Sequence, residues 1–144
     1  MRRDVVTIED HASCQEAVAL MCRRGIRHLP VVGGDGRLRG IVTDRDLRHY
    51  LFAPGVLETV GTSGVERILS TAPVTRVMST PVVTVAPDAP LTAAARLMLQ
   101  DKVGSLPVVD GGRVTGIITE TDLLRHVVGT DCGADVSEIV VSFP

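Results

Sequence analysis

Two octapeptides, GIVTDRDL at residues 40–47 and GIITETDL at residues 116–123, are nearly the same phrase written twice in one chain. They end a longer match. With one gap, residues 5–49 and 82–125 are identical at roughly 19 of 44 positions, in the blocks VVT, an L-M pair, LPVV, G-x-G-R, G-I and T-x-x-D-L. A repeat at this scale means one supersecondary unit used twice. A unit of about 50 residues is marginal alone, because so short a chain buries too little of its surface. Packing the two copies together would cover the apolar face that neither can hide.

Both copies parse alike. Residues 5–8 and 82–85 are short and β-branched, which predicts strands. A helix is predicted from Ser13 to about Arg24, because Ser13 and Glu16 have capping-box spacing and Ala17, Leu20, Met21 and Arg24 recur at helical intervals. Its counterpart runs from about Pro90 to Lys102, with proline suited to the first turn and Leu91, Ala94, Ala95, Leu97 and Met98 forming an apolar stripe. Second strands fall at residues 29–32 and 106–109, and third strands at 38–42 and 114–118. The glycine-rich segments at 33–36 and 110–112 are predicted hairpin turns that need positive φ. Second helices start at Thr43 and Thr119 and run to about Leu51 and Val128. The order is β-α-β-β-α, twice. The expected organisation is a first repeat at 1–52, a connector at 53–73 whose middle is loosened by Gly and Ser, a second repeat at 74–128 opened by a lead-in turn at 74–78, and a tail at 129–144. The tail's IVVSF suits either an edge strand or an oligomer contact.

These octapeptides, each preceded by LPVV and each closing a β-α-β-β-α unit, resemble the CBS domain, and the tandem is similar to a CBS pair, or Bateman module. The resemblance covers about residues 1–128. It implies an α+β fold, two CBS repeats packed with pseudo-two-fold symmetry. It also implies a regulatory module without catalysis of its own, binding AMP, ADP, ATP or S-adenosylmethionine in clefts between the copies and pairing into a homodimer. An effector protein, not identifiable from the sequence, would read its shape.

The T-x-x-D tetrads have two readings. Before a helix, Thr43 with Asp46 and Thr119 with Asp122 make capping boxes and need no ligand. A carboxylate there also suits a ribose, since it can accept hydrogen bonds from two neighbouring hydroxyls. The roles are compatible, and the resemblance favours ribose binding by Asp46 and Asp122, with Thr43 and Thr119 beside them. A purine would need an aliphatic slot, because aromatics are almost absent; Ile41, Val42, Ile117 and Ile118 are the expected walls, with Thr7 and Thr84 at the neighbouring strand ends. Phosphates need positive charge, which Arg27 and His28 offer in the first copy. The matching Gly104-Ser105 carries none, so the two sites should differ. The first copy also lacks a counterpart of residues 74–77, a lead-in that helps line the cleft in the family. A partner subunit or upstream residues would have to supply it.

Other chemistries find little support. Arg and acidic residues are interspersed at a net charge of −2, which leaves no basic footprint for nucleic acid. Only Tyr50, Phe52 and Phe143 could stack on bases. No apolar run approaches the roughly 18 residues of a membrane span, and the Arg-bearing start has no h-region. Cys14, Cys22 and Cys132 are odd in number and unpaired in spacing, which suits a reducing cytoplasm. His11, Cys14 and Cys22 make a poor metal trio, and His49 and His126 read as helix-end cations. No phosphate-loop motif follows a strand. No metal, cofactor or enzyme activity is expected. The rival to ligand sensing is a ligand-free interaction or oligomerisation scaffold.

Overall fold

The computed structural model describes residues 5–51 and 56–129. They fall into two compact units. One comprises residues 7–35, 39–51 and 56–81, the other residues 82–129 together with 5–6 and 36–38.

In the first unit, strand β1 (Ile8–Glu9) pairs in parallel with β2 (His28–Val32), Ile8 opposite Val31 and Glu9 opposite Val32, and β2 also neighbours β3 (Leu38–Thr43). Helix α1 (Cys14–Arg24) connects the first two strands. Its start is a complete capping box: Glu16 N–H donates to Ser13 Oγ at 3.2 Å, and Ser13 N–H donates to Glu16 Oε2 at 3.0 Å. It stops at Gly25, whose φ of 65° is the left-handed conformation that glycine adopts without steric cost. Helix α2 (Asp44–Leu51) follows β3 with no intervening residue. Leu29, Val31, Val42, Cys14, Ala17 and Val74 are fully buried. Burial pushes the Cys14 thiol pKa up, against an opposing pull from Arg76, so Cys14 behaves as a small core hydrophobe. Cys22 is exposed, and Cys132 lies outside the described residues.

The second unit repeats the plan with α4 (Leu91–Asp101), β4 (Ser105–Asp110), β5 (Arg113–Thr119) and α5 (Glu120–Gly129). Strands β4 and β5 are antiparallel, pairing Ser105 with Thr119, Leu106 with Ile118 and Pro107 with Ile117, with a bulge between Val108 and Val109. The turn holds Gly111 and Gly112 at φ of 63° and 85°, as the hairpin reading requires. The core gathers Val85, Leu91, Ala94, Met98, Leu106, Val108 and Ile118.

Two expectations needed correction. Residues 5–8 yield only the two-residue β1, and residues 82–85 yield a single parallel bridge, Val85 to Val108; a β-branched run forms a strand only where a neighbour offers its hydrogen bonds. The connector is largely helical. Helix α3 (Val56–Thr71) is interrupted by a non-helical Gly61 at φ 66° and ψ −175°, so the glycine kinks a helix and does not dissolve it. Its half-buried Val65, Ile68 and Leu69 have i, i+3, i+4 spacing, and α3 packs on α1 and α2. The lead-in is a 3-10 turn (Val74–Arg76), as expected, but it and the residues after it pack on the first repeat. Val74 N–H donates to Ala12 O at 2.8 Å, and Ile41 and Ser79 exchange backbone hydrogen bonds of 3.1 and 2.8 Å. The tail from residue 130 lies outside the described residues.

Two substitutions test this account by thermal unfolding. A Cβ on Gly40 would lie 2.9 Å from Met78 Cγ and 3.1 Å from the Ser79 carbonyl oxygen. Gly40→Ala should therefore lose about 1–3 kcal/mol as an overpacked site; an unchanged melting temperature would refute the close approach. Lys102 ends α4 at φ 52°, where the first repeat has Gly25. Lys102→Gly should gain up to about 1 kcal/mol by removing left-handed strain, and a loss would show that the Lys102 side chain stabilises the turn.

Candidate functional site

At the end of each third strand the backbone passes directly into a helix. In the first unit Asp44 N–H donates to the Arg27 carbonyl at 3.1 Å, which sets the entry to β2 beside the start of α2. In the second, Glu120 N–H donates to the Gly104 carbonyl at the same distance, 3.1 Å. Arg27-His28 and Gly104-Ser105 are therefore equivalent positions beside equivalent helix starts.

Both tetrads form capping boxes. Thr43 N–H donates to Asp46 Oδ2 at 2.9 Å, and Asp46 N–H donates to Thr43 Oγ1 at 3.1 Å. Thr119 N–H and Oγ1–H donate to Asp122 Oδ2 at 2.9 and 3.0 Å, and Asp122 N–H donates to Thr119 Oγ1 at 3.3 Å. In each the box engages Oδ2, while Oδ1 stands outside it. The capping reading is thus realised in both repeats, and one carboxylate oxygen of each remains for other chemistry. The two aspartates differ in setting. Asp46 is half-buried, whereas Asp122 is 6% exposed. Burial pushes the Asp122 pKa up, opposed by the hydrogen bonds from Thr119 and by the charge of Arg125.

The remaining expected residues divide. In the first unit, half-buried Thr7 immediately precedes β1, half-buried Ile41 precedes Val42 in β3, and exposed Arg27 and half-buried His28 open β2. In the second, half-buried Thr84 precedes the Val85 bridge, Ile117 is 7% exposed, and Ser105, 5% exposed, pairs with Thr119. Val42 and Ile118 do not fit the expectation. Both are wholly buried, and Ile118 belongs to the second unit's hydrophobic core. Successive strand residues point to opposite faces, so of two adjacent residues only one can wall a slot. Ile41 and Ile117 are the pair left for that role.

Sequence reasoning missed Met78 and Ser79, which pair alongside Ile41 and so flank the first unit's candidate residues. The only local sign was Gly40, the position where a side chain would collide with them. A separate hollow of about 410 Å³ lies between α1 and α2, walled by Val18, Met21, Leu47 and Leu51; of the expected binding residues only Arg27 reaches its rim. His11 pairs with Glu9 at 3.1 Å, and among the described residues no group of His, Cys, Asp and Glu is placed to hold a metal. No described helix is long and apolar enough to cross a membrane.

Known proteins match this arrangement. A CBS domain profile matches residues 1–53 and 74–129. A CBS domain-containing protein of Dictyostelium discoideum is 37% identical over 125 residues, covering 86% of this chain and 85% of the relative. A homoserine O-acetyltransferase of Methanosalsum zhilinae is 30% identical over 134 residues, covering 92% of this chain, which spans only 24% of that relative's length. The crystal structure of the CBS domain pair of protein MJ0100, in complex with 5′-methylthioadenosine and S-adenosyl-L-methionine, superposes with a TM-score of 0.74 at 26% identity, covering 91% of this chain and 94% of that one. With two matched segments over most of its length and the same repeated α+β unit, the chain belongs to the CBS domain family as a tandem pair.

Proposed function

We propose that this chain is a cytoplasmic regulatory module that binds adenosine-containing ligands, AMP, ADP, ATP or S-adenosylmethionine, and signals to a partner protein by changing shape. The observation that carries this reading is the duplicated Thr-Asp box with one carboxylate oxygen outside it. Adenosyl ligands in the MJ0100 pair add support. Oδ1 of Asp46 and of Asp122 would accept from ribose hydroxyls. Thr43, Thr119, Thr7 and Thr84 would edge the sites, and Ile41 and Ile117 would press on the purine. Arg27 and His28 fit a phosphate-bearing ligand at the first repeat. Ser105, uncharged and buried, fits one without phosphates at the second.

Such a ligand regulates only if it prefers one arrangement of the protein over another. The module is read as non-catalytic because it is a tandem of two CBS domains, a family the resemblance describes as regulatory. Any enzymatic output belongs to a partner, or to another part of a longer protein such as the acetyltransferase relatives. Pairing of two copies is part of the same proposal. The second reading, a ligand-free scaffold, is favoured by the capping boxes, which account for both aspartates without any ligand.

Thermal shift with AMP, ADP, ATP and S-adenosylmethionine separates the two readings. A true ligand at about 100 times its Kd should add roughly 2.7 kcal/mol, a rise of several degrees; flat melting curves with all four would establish the scaffold. Asp46→Asn and Asp122→Asn keep an oxygen for the cap but put an amide donor where the second acceptor was. Each should weaken one binding event by about ten- to a hundredfold, as for a lost charge-assisted hydrogen bond. Undiminished binding in the double variant would remove ribose from the account.

Acidity gives a further check. Asp122 has a folded pKa above its ordinary 3.8, so the folded protein holds that proton to higher pH than the unfolded chain. Its contribution to stability is full below 3.8 and is lost as pH rises through the raised value. The stability of the unliganded protein relative to Asp122→Asn should therefore fall as pH rises from the acid range to neutrality. Melting curves of the two proteins across that range check this, and a wild-type stability that stayed constant or rose relative to Asp122→Asn would show that burial does not raise the Asp122 pKa.

A further inference from the structure

The hollow of about 410 Å³ between α1 and α2 has neither Thr43 nor Asp46 in its lining, so the ribose reading leaves it without a role. Its volume is that of a small-molecule pocket, which runs from roughly 300 to 1,000 Å³. The walls are aliphatic: Val18 and Met21 from α1, Leu47 and Leu51 from α2. Charge enters through Arg27, Asp44 and Arg48. Arg48 Nη2 lies 3.4 Å from Asp44 Oδ2, and Arg48 is solvent-facing, so this ion pair is weak and open to exchange. Exposed Arg27 makes no ion pair with a described acid. Two guanidinium groups against one carboxylate leave a single positive charge in excess. One further carboxylate balances it, whereas a doubly charged phosphate would overshoot and crowd Asp44.

The duplicated unit offers an internal comparison. The repeat alignment keeps the apolar floor, Met21 facing Met98 and Leu47 facing Leu123. It does not keep the cations: Arg27 faces Gly104 and Arg48 faces Leu124. On the same two helices, exposed Arg23, Arg24 and Arg45 face Gln100, Asp101 and Thr121. The second repeat folds to the same plan without any of these arginines, so the plan does not require them. We propose that the hollow binds an aliphatic monocarboxylate, its chain against Val18, Met21, Leu47 and Leu51 and its head group on Arg27 and Arg48. The planar fork of arginine pairs with a carboxylate through two parallel hydrogen bonds, and the aliphatic walls take the chain out of water. The site does not depend on the ribose reading.

NMR of the full chain, labelled at the methionine methyl groups, tests this with octanoate as the probe. Met21 and Met98 hold equivalent positions and are 7% and 6% exposed, so one reports on the hollow and the other is its blank. Octanoate below its micellar range should move the Met21 signal saturably and leave Met98 in place. Octanol, with the same chain and no charge, should bind at least about tenfold more weakly. Arg27→Ala combined with Arg48→Leu, the second repeat's residue, should weaken octanoate by about tenfold or more, as for lost charge-assisted hydrogen bonds. An unchanged Met98 signal in that variant shows that it is folded. An unmoved Met21 overturns the proposal, and is the result expected if a second copy fills the hollow. Equal movement of Met98, octanol binding as tightly as octanoate, or undiminished binding in the double variant each overturns it too, as detergent-like adsorption.

Discussion

The structure depends on a hydrogen-bonded box that turns a strand into a helix without a loop. Thr43 ends β3 and Asp44 begins α2; Thr119 ends β5 and Glu120 begins α5. With no spare residue at the junction, strand register fixes where the helix starts and which face it presents. A cap of this kind is worth about 1 kcal/mol, but its positional effect is larger than that figure suggests. Holding Oδ2 on a backbone N–H fixes the carboxylate, so Oδ1 has a defined direction before any ligand arrives. Pre-set polar groups of this sort bind with less loss of side-chain freedom.

The same topology tolerates different solutions for its ends. Helix α1 has a full capping box and a glycine stop; α4 begins after Pro90, with no side-chain cap, and stops on a left-handed lysine. The second helices share the box but differ in the burial of its acid. Arg27-His28 faces Gly104-Ser105 across the repeat alignment, and Cys22 faces Leu99. Duplication set the frame, and divergence fell at its edges, where charge and shape can change without disturbing the core.

Much of this was legible in the sequence. The repeat, the helix limits and the tetrads emerge from local patterns: caps, turn glycines and 3.6-residue spacing. Helix α1 begins one residue after its predicted cap, and α4 lies within its predicted span. The errors have distinct causes. Taking Ile41 with Val42, and Ile117 with Ile118, as joint walls ignored the two-residue alternation of strands, a signal that was present. The connector's helix was hidden because Gly and Ser lower propensity, while contacts with α1 and α2 override it. The pairing of Ile41 with Ser79 joins residues far apart in the chain, and no local pattern encodes such a partner.

That pairing affects how the chain can be divided. Repeat boundaries suggest a cut near residue 74, yet Val74 bonds to Ala12 and Ser79 to Ile41. A fragment ending at 73 would strip β3 of an edge partner and leave Gly40 facing water; one ending after Pro81 would keep the bridge between Ile41 and Ser79. The amino-terminal half is completed by amino acids that sequence similarity credits to the carboxy-terminal half, so the duplicated motifs are not interchangeable modules and cannot be swapped by their alignment alone.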